Sequence, residues 1–290
     1  MSEQVRRLHA SETPATKEDP RVRALARLVG VVDRLRAENG CPWDRKQTVA
    51  TMAPYLVEEA YEALDAVERK TDADVAEECG DLLMVIALVA RIAQDGGRFD
   101  LAEVGHLVSD KLVRRHPHVF GEVVAQDAET VLANWEAIKK AERVDKQEDA
   151  SALAGVPLAL PALQRAARVS GKAVSAGFRW SSVAGAVATL RAEQGVLEEV
   201  LEASGLARDA KARCTPEQRA RVEAELGDVL LAGAFLASYL EMDAERLCRA
   251  ALARFEARFR AMEVDLPGPM KEQGLDVLMA AWERAKAARG

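Results

Sequence analysis

Four segments of this chain occur twice, in the same order. VEEAYEA (57–63) returns as LEEVLEA (197–203), and EECGDLLMVIALVA (77–90) returns as AELGDVLLAGAFLA (224–237). KLVRRHPHVF (111–120) is echoed by RFEARFRAME (254–263), and NWEAIKKAER (134–143) by AWERAKAARG (281–290). Four echoes in one order mean two copies of one structural unit. Apolar residues recur at helical spacing in both copies. The nearest hairpin signal, Asn39-Gly40, runs into Cys41-Pro42-Trp43 rather than into a second strand. The expected fold is therefore all-α, with two tandem helical domains. The length of 290 residues agrees, since about 150 make a domain. The expected boundaries are a disordered polar tail at 1–20, a first domain at 21–145, a polar and then Pro-rich linker at 146–160, and a second domain at 161–290.

In the first domain a helix is predicted over 21–36, stopped by the Asn39-Gly40-Cys41-Pro42 segment. A second is predicted to start near Pro54, because proline suits a first helical turn. A third follows an N-cap at Thr71 and ends at Asp95-Gly96-Gly97. A fourth runs over 101–115 to a break at Pro117, and a fifth over 130–143.

Composition narrows the function. A formal charge of −7 argues against a dedicated nucleic-acid binder, which needs a basic face; it leaves open a phosphate ligand that arrives with a metal. The four cysteines, Cys41, Cys79, Cys214 and Cys248, are too sparse for a disulfide framework and read as reduced thiols. The N-terminus has no apolar core, so it is no signal peptide. The longest apolar runs, at 82–90 and 229–240, are shorter than the roughly 20 residues a membrane span needs. A cytoplasmic protein with no membrane partner is expected.

Glu59 and Glu62 stand three residues apart on a predicted helix, on one face and roughly 4.5 Å apart along the axis. Glu58 lies beside them. Glu78 and Asp81 repeat the spacing on the next helix, next to an apolar run that should be core. A short connection makes the two helices an antiparallel pair, so four carboxylates can converge. Crowded carboxylates at a core edge take up protons or bind a cation. Hard oxygen donors suit Mg²⁺, with Mn²⁺ as an alternative. Ferritin-like di-iron chemistry needs two ExxH motifs, and the chain has one, Glu103 to His106. Lys111 and Arg115 lie one turn apart, as do Trp135 and Lys139. Such cations can hold phosphate oxygens, and the second half repeats the arrangement as Arg254, Arg258, Trp282 and Lys286.

NGCPWDRKQT (39–48), LVEEAYEALDA (56–66), EECGDLL (77–83), DKLVRRHPHVF (110–120) and NWEAIKKAER (134–143) together resemble a MazG-type nucleoside triphosphate pyrophosphohydrolase. The resemblance covers about residues 21–290. It implies an all-α homodimer with a four-helix-bundle core formed on dimerisation. It also implies Mg²⁺-dependent hydrolysis of nucleoside triphosphates to monophosphates and pyrophosphate, in the service of nucleotide-pool housekeeping. Glu59, Glu62, Glu78 and Asp81 match the family's metal-binding acids. Lys111, Arg115, Trp135 and Lys139 match its nucleotide contacts, and Glu58 or Glu59 would activate the water.

The second half departs from that pattern. Counting forward from Gly177-Phe178-Arg179-Trp180 puts the acid pair at Glu193 and Val196; local likeness puts it at Glu199 and Glu202. Six residues turn a helix by about 600°, so the two registers face different ways. The second keeps two carboxylates and is preferred, with Glu193 then a nucleotide contact; either is followed by Glu225 and Asp228. Two other readings remain open: a related all-α dUTPase or phosphoribosyl-ATP pyrophosphohydrolase, and a non-catalytic helical dimer that binds nucleotides or regulates.

Overall fold

The computed structural model describes residues 18–123, 127–145, 149, 151–209, 211 and 213–289. Among these there are twelve α-helices, one 3₁₀ turn and no β-strand. The chain divides into two compact units, Met1–Lys146 and Gln147–Gly290. Among the described residues no helix is long and apolar enough to cross a membrane.

The first unit contains α1 (Pro20–Arg36), α2 (Pro42–Lys46), α3 (Val49–Arg69), α4 (Asp72–Asp95), α5 (Leu101–Arg115), α6 (Pro117–Phe120) and α7 (Ala128–Asp145). Its centre is the α3–α4 hairpin, joined by only Lys70 and Thr71. Thr71 starts α4 with a reciprocal cap: its hydroxyl accepts from the Asp74 amide, and its own amide donates to the Asp74 carboxylate. The apolar run on α4 then supplies the core. Val85, Ala87 and Leu88 pack with Val32 of α1 and Met52 of α3, and Tyr55 and Met84 close over them. Helices α1 and α5 lie against α4, and α7 against α5.

Two local expectations need correction. Pro54 does not start its helix but lies inside α3. Thr48 provides the start instead, accepting from the Thr51 amide at 3.1 Å while Thr51 Oγ1 accepts from the Thr48 amide at 2.9 Å. That reciprocal cap begins the helix one turn earlier, and proline then forgoes a single backbone bond. Pro117, expected as a plain stop, opens the short α6, because its fixed φ suits a first helical position. The Cys41–Gln47 segment holds a helix the periodicity did not reveal. The Arg36 guanidinium donates to the Asp44 and Gln47 carbonyls and pairs with Asp95 at 2.8 Å, tying α2 to the end of α4.

The second unit contains α8 (Ala162–Ser175), α9 (Val183–Ser204), α10 (Pro216–Tyr239), α11 (Ala244–Asp265), a 3₁₀ turn (Met270–Glu272) and α12 (Leu275–Arg289). Its principal pair, α9–α10, corresponds to α3–α4 by sequence echo, but residues 205–215 lie between the two helices. Its interior is built from smaller side chains. One cluster centres on Ala166, Ala234 and Ala244, another on Met262, Ala281 and Ala285. All four cysteines are free thiols.

Candidate metal and nucleotide site

The α3–α4 hairpin brings Glu59, Glu78 and Asp81 together, with carboxylate oxygens all within 4.8 Å of one another. The i, i+3 spacing puts Glu78 and Asp81 on one face of α4, and antiparallel pairing sets Glu59 opposite. The Glu59 carboxyl is held above its ordinary range, first by burial and then by the charges of Asp81, Glu62, Glu58 and Glu78. A group pushed toward neutrality by surrounding carboxylates is what a cation would relieve. Lys70, in the hairpin turn, already places its ammonium 2.9 Å from Glu78 Oε1. Sequence reasoning missed that lysine; its signal was the Arg69-Lys70 pair immediately before the Thr71 cap. Glu62 and Glu58 face solvent and lie outside the three-oxygen group, though both contribute to the field at Glu59.

The same constellation occurs in the second unit. Glu193 of α9 joins Glu225 and Asp228 of α10, again with oxygens within 4.8 Å. The preferred register is thereby corrected. Glu199 and Glu202 are exposed and do not join this group. They lie about 600° of helix rotation and more from Glu193, and the core contacts of α9 are made in the Glu193 register. Counting from Glu59 and Glu193, Glu58 and Glu62 correspond to Ala192 and Val196. The second unit therefore keeps the clustered triad and lacks both flanking acids. Among the described residues both groups contain carboxylates alone, with no histidine, which suits hard cations such as Mg²⁺ or Mn²⁺ rather than a di-iron centre.

The basic candidates gather on α5 and α7. Arg115 and Arg114 both reach Glu142 of α7 at 2.6 Å. Those contacts, Arg115 first, hold the Glu142 carboxyl down at about 2 against burial. Lys139 pairs with Glu136 and sits 6.0 Å over the Trp135 ring, which also stands 5.9 Å from the His116 ring. Lys111 is exposed. The buried Trp135 Nε1 has no hydrogen-bond partner. In the second unit Trp282 packs against Phe255 at 5.3 Å, Lys286 pairs with Glu283, and Arg254 is exposed. Arg258 Nε is buried without a partner. The position of Glu142 is occupied there by Arg289, so the repeat of cations is kept while their anchoring acid is not.

Two helical units, each presenting a carboxylate triad on its central helix pair, define an all-α protein whose acids can coordinate a divalent metal. The model of the MazG nucleotide pyrophosphohydrolase domain matches residues 47–120, which span both acid-bearing helices of the first unit. A nucleoside triphosphate pyrophosphohydrolase of Escherichia coli is 41% identical over 264 residues, covering 90% of this chain and 96% of its own. The nucleoside triphosphate pyrophosphohydrolase/pyrophosphatase MazG of Thermotoga maritima is 34% identical over 262 residues, 89% of this chain and 94% of its own. YabN of Bacillus subtilis, a protein of uncharacterised role, is 46% identical over 139 residues, 48% of this chain and 28% of its own. The chain belongs to the MazG family.

Proposed function

We propose that this protein hydrolyses nucleoside triphosphates to monophosphates and pyrophosphate with Mg²⁺, within the cytoplasmic nucleotide pool. The observation that carries this reading is the Glu59–Glu78–Asp81 triad on the α3–α4 hairpin, in a chain whose full-length relatives are named for that activity. Glu59, Glu78 and Asp81 would hold the metal, with Glu62 one turn away. A bound Mg²⁺ supplies charge neutralisation on the triphosphate. Glu59 or its neighbour Glu58 orients and deprotonates the attacking water. Lys111, Arg115, Trp135 and Lys139 offset phosphate charge and flank the nucleoside. For Arg115 this requires letting go of Glu142. Incubation of ATP or dGTP with the protein and Mg²⁺, followed by chromatography, should yield the monophosphate and pyrophosphate. A diphosphate with orthophosphate would overturn the site of attack.

The active form is a homodimer with a four-helix-bundle core. Val57 and Tyr61 form an i, i+4 stripe on α3 that remains 56% and 41% exposed beside the acids; in the second unit an exposed i, i+4 pair, Leu226 and Leu230, stands instead on α10, the counterpart of α4, at 48% and 60%. Apolar stripes next to a charged site are suited to burial by a second copy. Light scattering should give twice the 31.5 kDa chain mass, and Val57→Asp should return the protein to a monomer.

A further inference from the structure

Lys70 is a cation tethered at the first carboxylate triad. It is the C-cap of α3, with its amide donating to the Ala66 carbonyl at 2.9 Å. Thr71, next to it, starts α4 with a reciprocal cap, so the backbone of the turn is pinned on both sides. From that fixed point the ammonium lies 2.9 Å from Glu78 Oε1, an acid of the triad. Two other acids near the turn are engaged elsewhere. Asp65 pairs with Arg69 at 3.2 Å, and Asp74 accepts from the Thr71 amide at 2.9 Å. Among the described residues, Glu78 is the carboxylate with which Lys70 pairs. With the lysine side chain 39% exposed and the acid 15%, such a pair adds little to stability. Its consequence falls on Glu78 itself.

The second triad is arranged differently. Thr215 caps α10 as Thr71 caps α4, but it precedes Glu225 by nearly one helical turn more than Thr71 precedes Glu78. The residue before that cap is Cys214, not a cation. Glu225 instead has Arg221 on its own helix, at 4.0 Å and with a side chain 68% exposed.

A dication approaching the first triad meets the Lys70 ammonium as a like charge and as a rival for a Glu78 oxygen. An ammonium only donates and cannot coordinate a metal, so it opposes the ion rather than joining its ligands. Because it is tethered, it competes at an effective concentration that dilution does not lower. A metal carried on a triphosphate is a different visitor. That complex bears net negative charge, and its phosphate oxygens offer the displaced ammonium a new charge-assisted partner. We propose that Lys70 makes the first unit select a metal–triphosphate complex over the free metal. Its ammonium rests on Glu78 in the metal-free protein, weakens the hold on metal alone, and turns to a phosphate oxygen when the complex binds. Lys70 is thus a specificity-determining residue of the first unit. The proposal rests on the pyrophosphohydrolase reading for the identity of the complex.

The full chain carrying Glu225→Gln leaves the first triad as the intact one. In that background Lys70→Met, which keeps an unbranched stem and removes the charge, should tighten Mn²⁺ binding by about threefold or more, the scale of a partly exposed ion pair. Electron paramagnetic resonance of the free Mn²⁺ reads the change. Lys70→Arg, which keeps the charge, should stay close to the parent. Calorimetry with α,β-methylene-ATP at saturating Mg²⁺ should show the opposite order, with Lys70→Met binding the complex more weakly than the parent does. Unchanged Mn²⁺ affinity in Lys70→Met, or equal tightening in Lys70→Met and Lys70→Arg, overturns the role of the charge. A complex held by Lys70→Met as tightly as by the parent, or more tightly, overturns the selection. Any of these results in a protein that releases pyrophosphate from ATP leaves the pyrophosphohydrolase reading standing. No pyrophosphate from the unsubstituted protein, together with no heat of binding from the analogue, overturns that reading and the selection with it.

Discussion

Glu59 illustrates how one side chain can be kept unstable for use. Burial and four neighbouring carboxylates raise its proton affinity. Its ionised form is therefore disfavoured, and the stability of the metal-free protein falls as pH rises through the folded-state value. Glu59→Gln should raise the melting temperature of the metal-free protein at neutral pH by roughly 1 °C, a small fraction of the usual effect of a core change. It should also abolish the rise that Mg²⁺ gives the parent protein; scanning calorimetry with and without Mg²⁺ checks both. Glu62 is set apart by geometry, since it lies outside the three-oxygen group. In the first unit Glu78→Gln should weaken Mg²⁺ dependence of turnover more than Glu62→Gln does. Equal losses would restore Glu62 to full ligand status.

At the scale of elements, the site depends on the short α3–α4 turn. Thr71 caps α4 and leaves no slack between the helices. Thr71→Ala should lower stability by about 1 kcal/mol, read from urea unfolding at unchanged slope. The α5–α7 pair is held differently, by Arg115 and Arg114 on Glu142. The Glu142 carboxyl drops from 4.5 to about 2 on folding. Its contribution is fully present above about pH 4.5 and is lost as the pH falls toward about 2. Glu142→Gln should flatten that portion of an acid-unfolding curve followed by circular dichroism. Because it also frees Arg115, it should not lower affinity for a triphosphate.

For the whole molecule, the two units carry the same triad in different surroundings. The first has Glu58 and Glu62 beside it, a large-residue core and a lysine on Glu78. The second has Ala192 and Val196, small-residue clusters and an adjoining cavity. Fewer carboxylates hold a divalent cation less tightly. In the full-length protein Glu78→Gln should therefore reduce turnover over a panel of triphosphates more than Glu225→Gln. Loss of activity only in Glu225→Gln would make the second unit the working one. Partial activity in both, with different substrate profiles, would show two independent sites.

The repeat, the all-helical class and the pairing of Glu59 with Glu78 and Asp81 were legible in the chain because each rests on local periodicity: helical spacing and the i, i+3 rule act within a few residues. Thr71 and the Asp95-Gly96-Gly97 stop were legible for the same reason. The register of α9 was not. Local likeness favoured Glu199 and a gap-free count gave Glu193, and only the packing of α9 on α10 selects the face that meets Glu225 and Asp228. Arg115 and Glu142 lie 27 residues apart in sequence, so no local pattern could join them. The cavity beside Thr189 is also a tertiary property. It exists because side chains from three helices and the Trp180 turn fail to fill a common space, and volume, unlike periodicity, is settled only when distant residues meet.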